Sequence, residues 1–210
     1  MRSIFQMGVP VSGKNLFPSN IAGLPTWFTI RANKNGWTAR KKEIDFCVAM
    51  NPETAREDIL KLAPGSAAVY DEPLGLNQLR SDLHFYPVPF DKLVGPVCPD
   101  AKLRKLVRNM IYDGIMAHLL GIDPEEMHKA LFKQFGARKQ KAAQLNWGAV
   151  LAGKDYAEKN LPKTDPYRIE PMNATAGKII IDGNTAAALG CMLRPSKKSF
   201  VPSGKVYCTA

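Results

Sequence analysis

The chain has little that would tie it to a membrane, a disulfide framework or a metal. Its apolar runs are short and broken by charge, well below the roughly 18 residues a membrane-spanning helix needs. The opening Met1-Arg2-Ser3-Ile4-Phe5-Gln6-Met7-Gly8 has one basic residue and too few apolar ones for a secretory leader. No membrane partner and a cytoplasmic location are expected. Only four cysteines occur, Cys47, Cys98, Cys191 and Cys208, with no CxxC pair and no close histidine partner. That pattern offers neither a zinc site nor an iron–sulfur cluster, and no metal ligand is expected. The three histidines, His84, His118 and His128, have no acid or nucleophile arranged as a catalytic set. Acids are outnumbered, with 19 Asp and Glu against 29 Lys and Arg, giving a formal charge of +10. Residues 193–210 contain no acid, and Arg194, Lys197, Lys198 and Lys205 give them +4, which leaves +6 for residues 1–192.

What is present describes a globular chain. Its 210 residues, 45% hydrophobic and 23% charged, allow one core of about 150 residues and an annex. Strand-like and helix-like pieces alternate, which argues for an α/β class with a mainly parallel sheet. Residues 4–7 read as the last turns of a helix ended by Gly8, followed by an extended piece at 9–11. Strands are expected at 27–31, 44–50, 67–70 and 83–88, and a strand-like piece at 178–181. Asn51-Pro52-Glu53-Thr54 supplies a cap, a first-turn proline and an acid, so a helix is expected to start at Asn51. A helix over 101–120 turns Leu103, Leu106, Val107, Met110, Ile111 and Ile115 inward, with Lys102, Lys105 and Asp113 toward water. Asp123-Pro124-Glu125-Glu126 starts the next helix and Gly136 ends it. A third runs over 137–159, and residues 182–190 read as a turn and then a helix.

Several motifs are candidates for chemistry. Gly8-Val9-Pro10-Val11-Ser12-Gly13-Lys14 has phosphate-loop spacing, but Asn15 stands where a hydroxyl should hold Mg²⁺, and Pro18 prevents the long helix that loop requires. Residues 14–25 read as an unusually long loop, in which Lys14, Asn15, Ser19, Asn20 and Gly23 are candidate ligand or subunit contacts; a purely structural crossover is the other reading. Asn51 sits where open α/β sheets place ligands, either as a helix cap alone or as a cap that also meets a ligand. Arg104, Lys105, Arg108, Lys129, Lys133, Arg138, Lys139 and Lys141 are either a phosphate-binding face or solvated helix surface. No nucleic-acid signature accompanies them, so no nucleic-acid partner is expected.

Two blocks carry a resemblance. Met7-Gly8-Val9-Pro10-Val11-Ser12-Gly13-Lys14-Asn15-Leu16-Phe17-Pro18-Ser19-Asn20-Ile21-Ala22-Gly23-Leu24-Pro25-Thr26-Trp27 and Ile181-Asp182-Gly183-Asn184-Thr185-Ala186-Ala187-Ala188-Leu189-Gly190-Cys191 resemble the alpha subunit of 2-oxoacid:acceptor oxidoreductases, the 2-oxoglutarate:ferredoxin type especially. Asp45 to Asn51 matches that subunit's strand-to-helix step. The resemblance implies a Rossmann-like, three-layer gamma-type domain over residues 1–165, then the start of a pyrimidine-binding domain for thiamine diphosphate over 166–192. It also implies that the family's first strand and glycine-rich turn are missing ahead of Met1. The chain departs from the family after Cys191, so residues 193–210 are expected to be a non-native tail.

By the same resemblance, the whole enzyme oxidises a 2-oxoacid with coenzyme A to an acyl-CoA and CO₂, using thiamine diphosphate, Mg²⁺ and iron–sulfur clusters and passing electrons to ferredoxin. Thiamine carries the hard chemistry, and this chain is expected to hold none of these cofactors by itself. No catalytic residue is assigned to it, and alone it is expected to be inactive. Its partners would be a beta subunit and ferredoxin, with the +6 spread over helices facing coenzyme A phosphates or an acidic carrier. The alternative is a non-catalytic α/β module that docks a partner subunit or a nucleotide.

Overall fold

The computed structural model describes residues 1–17 and 23–193. In chain order the elements are α1 (Arg2–Gln6), β1 (Val11–Leu16), β2 (Trp27–Ala32), β3 (Phe46–Ala49), α2 (Ala55–Leu60), β4 (Ala67–Asp71), β5 (His84–Val88), α3 (Phe90–Val97), α4 (Ala101–Leu120), α5 (Pro124–Phe135), α6 (Gln140–Asn160) and α7 (Gly183–Leu193), with short 3-10 turns between. They fall into two units, Met1–Lys178 and a second that begins at Ile179.

A three-stranded parallel sheet of order β3-β4-β5 organises the first unit. Phe46 pairs with Ala67 and Ala49 with Tyr70 on one side of β4, and Ala67 with His84 and Asp71 with Val88 on the other. Every residue of β4 is buried, as a central parallel strand covered on both faces requires. Successive side chains point to opposite faces. Ala67 and Val69 therefore join Tyr86, Val88 and Phe90 against Val107, Ile111, Ile115 and Leu119 of α4 and Ala149 and Ala157 of α6. Ala68 and Tyr70 face Ala55 and Ile59 of α2, with Leu62, Leu76 and Leu83. Helix, sheet and helix make the expected three-layer α/β arrangement.

α4 and α6 meet through glycine. A Cβ on Gly114 would lie 1.9 Å from the Val150 carbonyl oxygen, and one on Gly153 would lie 2.0 Å from that of Ile111. The contact therefore needs bare backbone on both helices. It also turns α4 relative to the expected stripe: Val107, Ile111, Gly114, Ile115 and Leu119 are buried, whereas Leu103 and Leu106, in the first two turns, are exposed. Asp113 is corrected too. It is partly covered, and burial pushes its carboxyl up to about 6 against the pull of the Met1 ammonium. The caps follow the sequence: Asp100 accepts from the Lys102 N–H at 2.9 Å, and Asp123 from that of Glu125 at 2.8 Å.

The segment after α6 is tied to β5 by a buried polar knot. The Tyr86 hydroxyl donates to the Asp165 carboxylate and accepts from the Thr164 and Asp165 N–H groups at 2.9 and 3.2 Å. Lys163 Nζ donates to Asp165 Oδ1 at 2.9 Å, as does the Tyr167 N–H at 2.8 Å. Residues 166–178, which the sequence reading groups with the following domain, run along the start of the chain. Met172 N–H donates to the Met7 carbonyl at 2.8 Å, and Ala174 N–H to that of Gly8 at 2.9 Å. Gly8, at φ +80°, would place a Cβ 1.7 Å from the Met172 oxygen, so this position admits only glycine.

Two further expectations change. Residues 14–16 belong to β1, which pairs antiparallel with β2, Lys14 opposite Thr29, Asn15 opposite Phe28 and Leu16 opposite Trp27. Gly13 and Asn15 are weak strand formers, and cross-strand pairing with the aromatic β2 overrides their preference. The helix expected from Asn51 begins at Ala55, because the Asn51 side chain closes a turn ahead of it. In the second unit, residues 179–181 pair with no described residue and Ile179 is 71% exposed. A strand needs a neighbour to bond to, and residues 179–181 have none among the described residues. α7 does form, with the Thr185 N–H and hydroxyl donating to the Asp182 carboxylate at 2.9 and 2.7 Å.

Candidate functional site

Where parallel strands end at their carboxyl side, loops and helix starts converge and leave polar groups facing outward. Here that edge comprises Asn51 after β3, Asp71 closing β4, and Pro89-Phe90 after β5. Asn51 Oδ1 accepts from the Glu53 N–H at 3.0 Å, and its carbonyl from the Ala55 N–H at 2.9 Å. The side-chain oxygen is thus spent on the turn. Asp71 is buried, with Oδ2 at 3.4 Å from Arg108, whose guanidinium donates to Asp91 at 2.8 Å and lies over the Phe90 ring. Its Oδ1 has no hydrogen-bond partner among the described residues. Burial pushes the Asp71 carboxyl up, and Arg108 only partly pulls it back. The sequence reading passed over Asp71, although an acidic pair, Asp71-Glu72, directly after an apolar run was the available signal.

The other candidates sit elsewhere. Lys14 and Asn15 are exposed on β1, and Gly23, at φ +89°, faces open space. Ser19 and Asn20 lie outside the described residues. The structure therefore places Lys14 and Asn15 on the two-stranded ribbon and Asn51 at the end of the parallel sheet, so no single edge collects them. The phosphate-loop spacing also dissolves, because Lys14 lies in a strand and opens no helix.

His84, His128 and Cys47 have structural surroundings. His84 Nδ1 is 3.2 Å from the Thr164 hydroxyl. His128 stacks on Phe132 and meets Trp147 edge-on, at ring distances of 4.2 and 5.0 Å. Burial, with Asp58 adding to it, pushes the Cys47 thiol up to about 12, which keeps it protonated and unreactive. Among the described residues no three His, Cys, Asp or Glu side chains come together as a metal would require. They do not fit an iron–sulfur cluster or the Mg²⁺ of a thiamine site.

Charge is distributed differently from the expectation of +6 spread over helices. Residues 1–42 contain Arg2, Lys14, Arg31, Lys34, Arg40, Lys41 and Lys42 and no acid, a sum of +7; with +4 in residues 193–210, residues 43–192 carry −1 of the total +10. The basic helix face is also partly engaged, by a carbonyl at Arg104 and by carboxylates at Arg108 and Lys129. Arg104 donates to the Cys98 carbonyl, Arg108 is held by Asp71 and Asp91, and Lys129 by Glu126.

A family model described as pyruvate ferredoxin/flavodoxin oxidoreductase matches residues 1–156. The chain belongs to this family. No curated protein sequence matches it. Among solved structures it is similar to a 2-oxoglutarate:ferredoxin oxidoreductase from Magnetococcus marinus with 2-oxoglutarate, coenzyme A and succinyl-CoA bound, at TM-score 0.78 and 26% identity, over 91% of this chain and 33% of that one. The chain thus spans about a third of that oxidoreductase chain. It is also similar to a keto/oxoacid ferredoxin oxidoreductase gamma subunit from Geobacter sulfurreducens, at TM-score 0.58 and 16% identity, over 75% and 86% of the two chains. A pyruvate oxidoreductase subunit from Thermotoga maritima gives 0.54 and 15%, over 73% and 83%. As a pyruvate ferredoxin/flavodoxin oxidoreductase family member, the chain has the gamma-type α/β fold. No helix among its described residues is long and apolar enough to cross a membrane.

Proposed function

We propose that the chain is the gamma-type domain of the alpha subunit of a 2-oxoglutarate:ferredoxin oxidoreductase, which converts 2-oxoglutarate and coenzyme A to succinyl-CoA and CO₂ and delivers the electrons to ferredoxin. The observation that carries this reading is the likeness across 91% of the chain to an enzyme holding 2-oxoglutarate, coenzyme A and succinyl-CoA. In this reading the chain is a scaffold and subunit contact in the cytoplasm, thiamine diphosphate, Mg²⁺ and iron–sulfur clusters are held by other parts of the enzyme, and a beta subunit and ferredoxin are the partners. Residues 166–192 begin the pyrimidine-binding domain. Lys14, Asn15, Ser19, Asn20 and Gly23 serve subunit contact, and Asn51 and Asp71 face coenzyme A from the end of the sheet, where the unspent Oδ1 of Asp71 supports a donor-bearing ligand.

Disrupting the gene in its own host tests this. Extracts are expected to lose coenzyme A-dependent viologen reduction with 2-oxoglutarate and to keep it with pyruvate; unchanged 2-oxoglutarate activity would contradict the assignment. The purified chain alone is expected to reduce no viologen with either substrate.

A further inference from the structure

We infer that the β1–β2 ribbon is a docking arm for an acidic, apolar-centred face of another protein; resting on the function proposed above, that face belongs to the partner subunit of the same oxidoreductase. The ribbon has two unlike faces, because directly paired residues share a side. Val11, Ala32, Gly13, Ile30, Asn15 and Phe28 form one face, and Ser12, Arg31, Lys14, Thr29, Leu16 and Trp27 the other. The first, Asn15 apart, is apolar and, beyond the Met1 side chain at Gly13, open to solvent, with Phe28 55% and Ile30 44% exposed; on the second, Arg31 lies over the ring of Trp37, which is 61% exposed. An isolated two-stranded ribbon is at best marginal in water, and large contiguous apolar surface marks an interaction site.

Charge selects the occupant. The acid-free run of residues 1–42 puts Lys14 and Arg31 on the second face of the ribbon and Lys34, Arg40, Lys41 and Lys42 on the segment after it, so a partner that grips the arm from both sides meets apolar side chains on one and cations on the other. A second copy of the chain would bring like charges together across the contact, which costs free energy. An acidic face is attracted and steered in. Nucleic acid is the less favoured match, because no nucleic-acid-binding signature accompanies the basic residues and two of the groups that could serve it are engaged within the chain. Trp27 Nε1 donates to both Asp58 carboxylate oxygens at 3.1 Å, and Arg31 lies over the Trp37 ring while donating to the Ala39 carbonyl.

The test places a benzophenone amino acid at Phe28, and separately at Trp37, in the full chain expressed in its own host, with Leu151 on α6 as the control position. After illumination, adducts are identified by mass spectrometry. The expected result is an adduct at both ribbon positions, and not at Leu151, to an oxoacid oxidoreductase subunit through peptides rich in Asp and Glu. Arg31→Glu with Lys41→Glu is expected to cut the yield at least about tenfold while the melting curve of the chain is retained. An adduct to an acidic face of a protein unrelated to oxoacid oxidation would keep the docking arm and overturn the proposed function. Adducts to nucleic acid, to a second copy or to a non-acidic surface, or none above the control, would overturn the docking arm.

Discussion

β4 and β2 are both short strands rich in apolar side chains, yet every residue of β4 is buried while Trp27, Phe28 and Ile30 of β2 are 42%, 55% and 44% exposed. β4 lies between two strands and two helical layers, and the part of the chain that builds this core, residues 43–178, has as many acids as bases. β2 has one partner strand and belongs to a stretch with +7 and no acid. The same hydrophobic signal thus serves folding in one region and recognition in the other, and the surrounding charge separates the two uses.

That division is broken or sharpened by substitutions that strike one region only. Gly114→Val should have the largest effect, because its branched side chain would enter the Val150 carbonyl. A loss of more than about 4 kcal/mol, or no soluble folded chain, is expected. Ile30→Ala on the ribbon should move the melting curve, followed by circular dichroism, by less than about 0.5 kcal/mol. Equal melting of the two variants would erase the distinction between core and arm. Tyr86→Phe comes next. It strips the buried Asp165 carboxylate and two backbone N–H groups of their common partner, and urea titration should show about 3 kcal/mol lost.

An effect smaller than that of Tyr86→Phe is read in pH. Burial raises the Asp113 carboxyl to about 6, so the folded state favours its neutral form. Its contribution is full below the ordinary carboxylate value and is lost as pH rises through about 6. Asp113→Asn should therefore stabilise the chain by about 2 kcal/mol at pH 7.5 and hardly at all at pH 4. Asp165 behaves oppositely: burial would raise its carboxyl, but the Tyr86 and Lys163 hydrogen bonds outweigh burial and hold it low. Its contribution is present above the ordinary value and disappears in acid. Thermal melts of wild type and both Asn variants across pH 3–8 separate the two signs.

The parallel sheet was legible because residues 67–70 and 83–88 are apolar and β-branched or aromatic, and α4 and α5 because polar caps and glycine stops bracket their periods. The resemblance carried the family through residues 7–27 and 181–191. The helix contact at Gly114 and Gly153 was not legible, since a glycine within a helical pattern lowers propensity without naming the backbone that approaches it. Helical period alone turned Asp113 outward, because what covers a side chain comes from elsewhere in the fold. Half of the ribbon is legible, since the aromatic and β-branched residues 27–31 read as the strand that β2 is, whereas Gly13 and Asn15 hide the end of β1, and a charge count that divides the chain only at residue 193 misses its acid-free surroundings.

Hydrogen exchange of the chain alone and within the assembled oxidoreductase tests the division between core and arm most directly. Amides of β4, α4 and α6 should exchange slowly and alike in both samples, while those of β1 and β2 should exchange quickly in the free chain and at least about tenfold more slowly in the assembly. Ribbon amides that exchange at the same rate in both would contradict it.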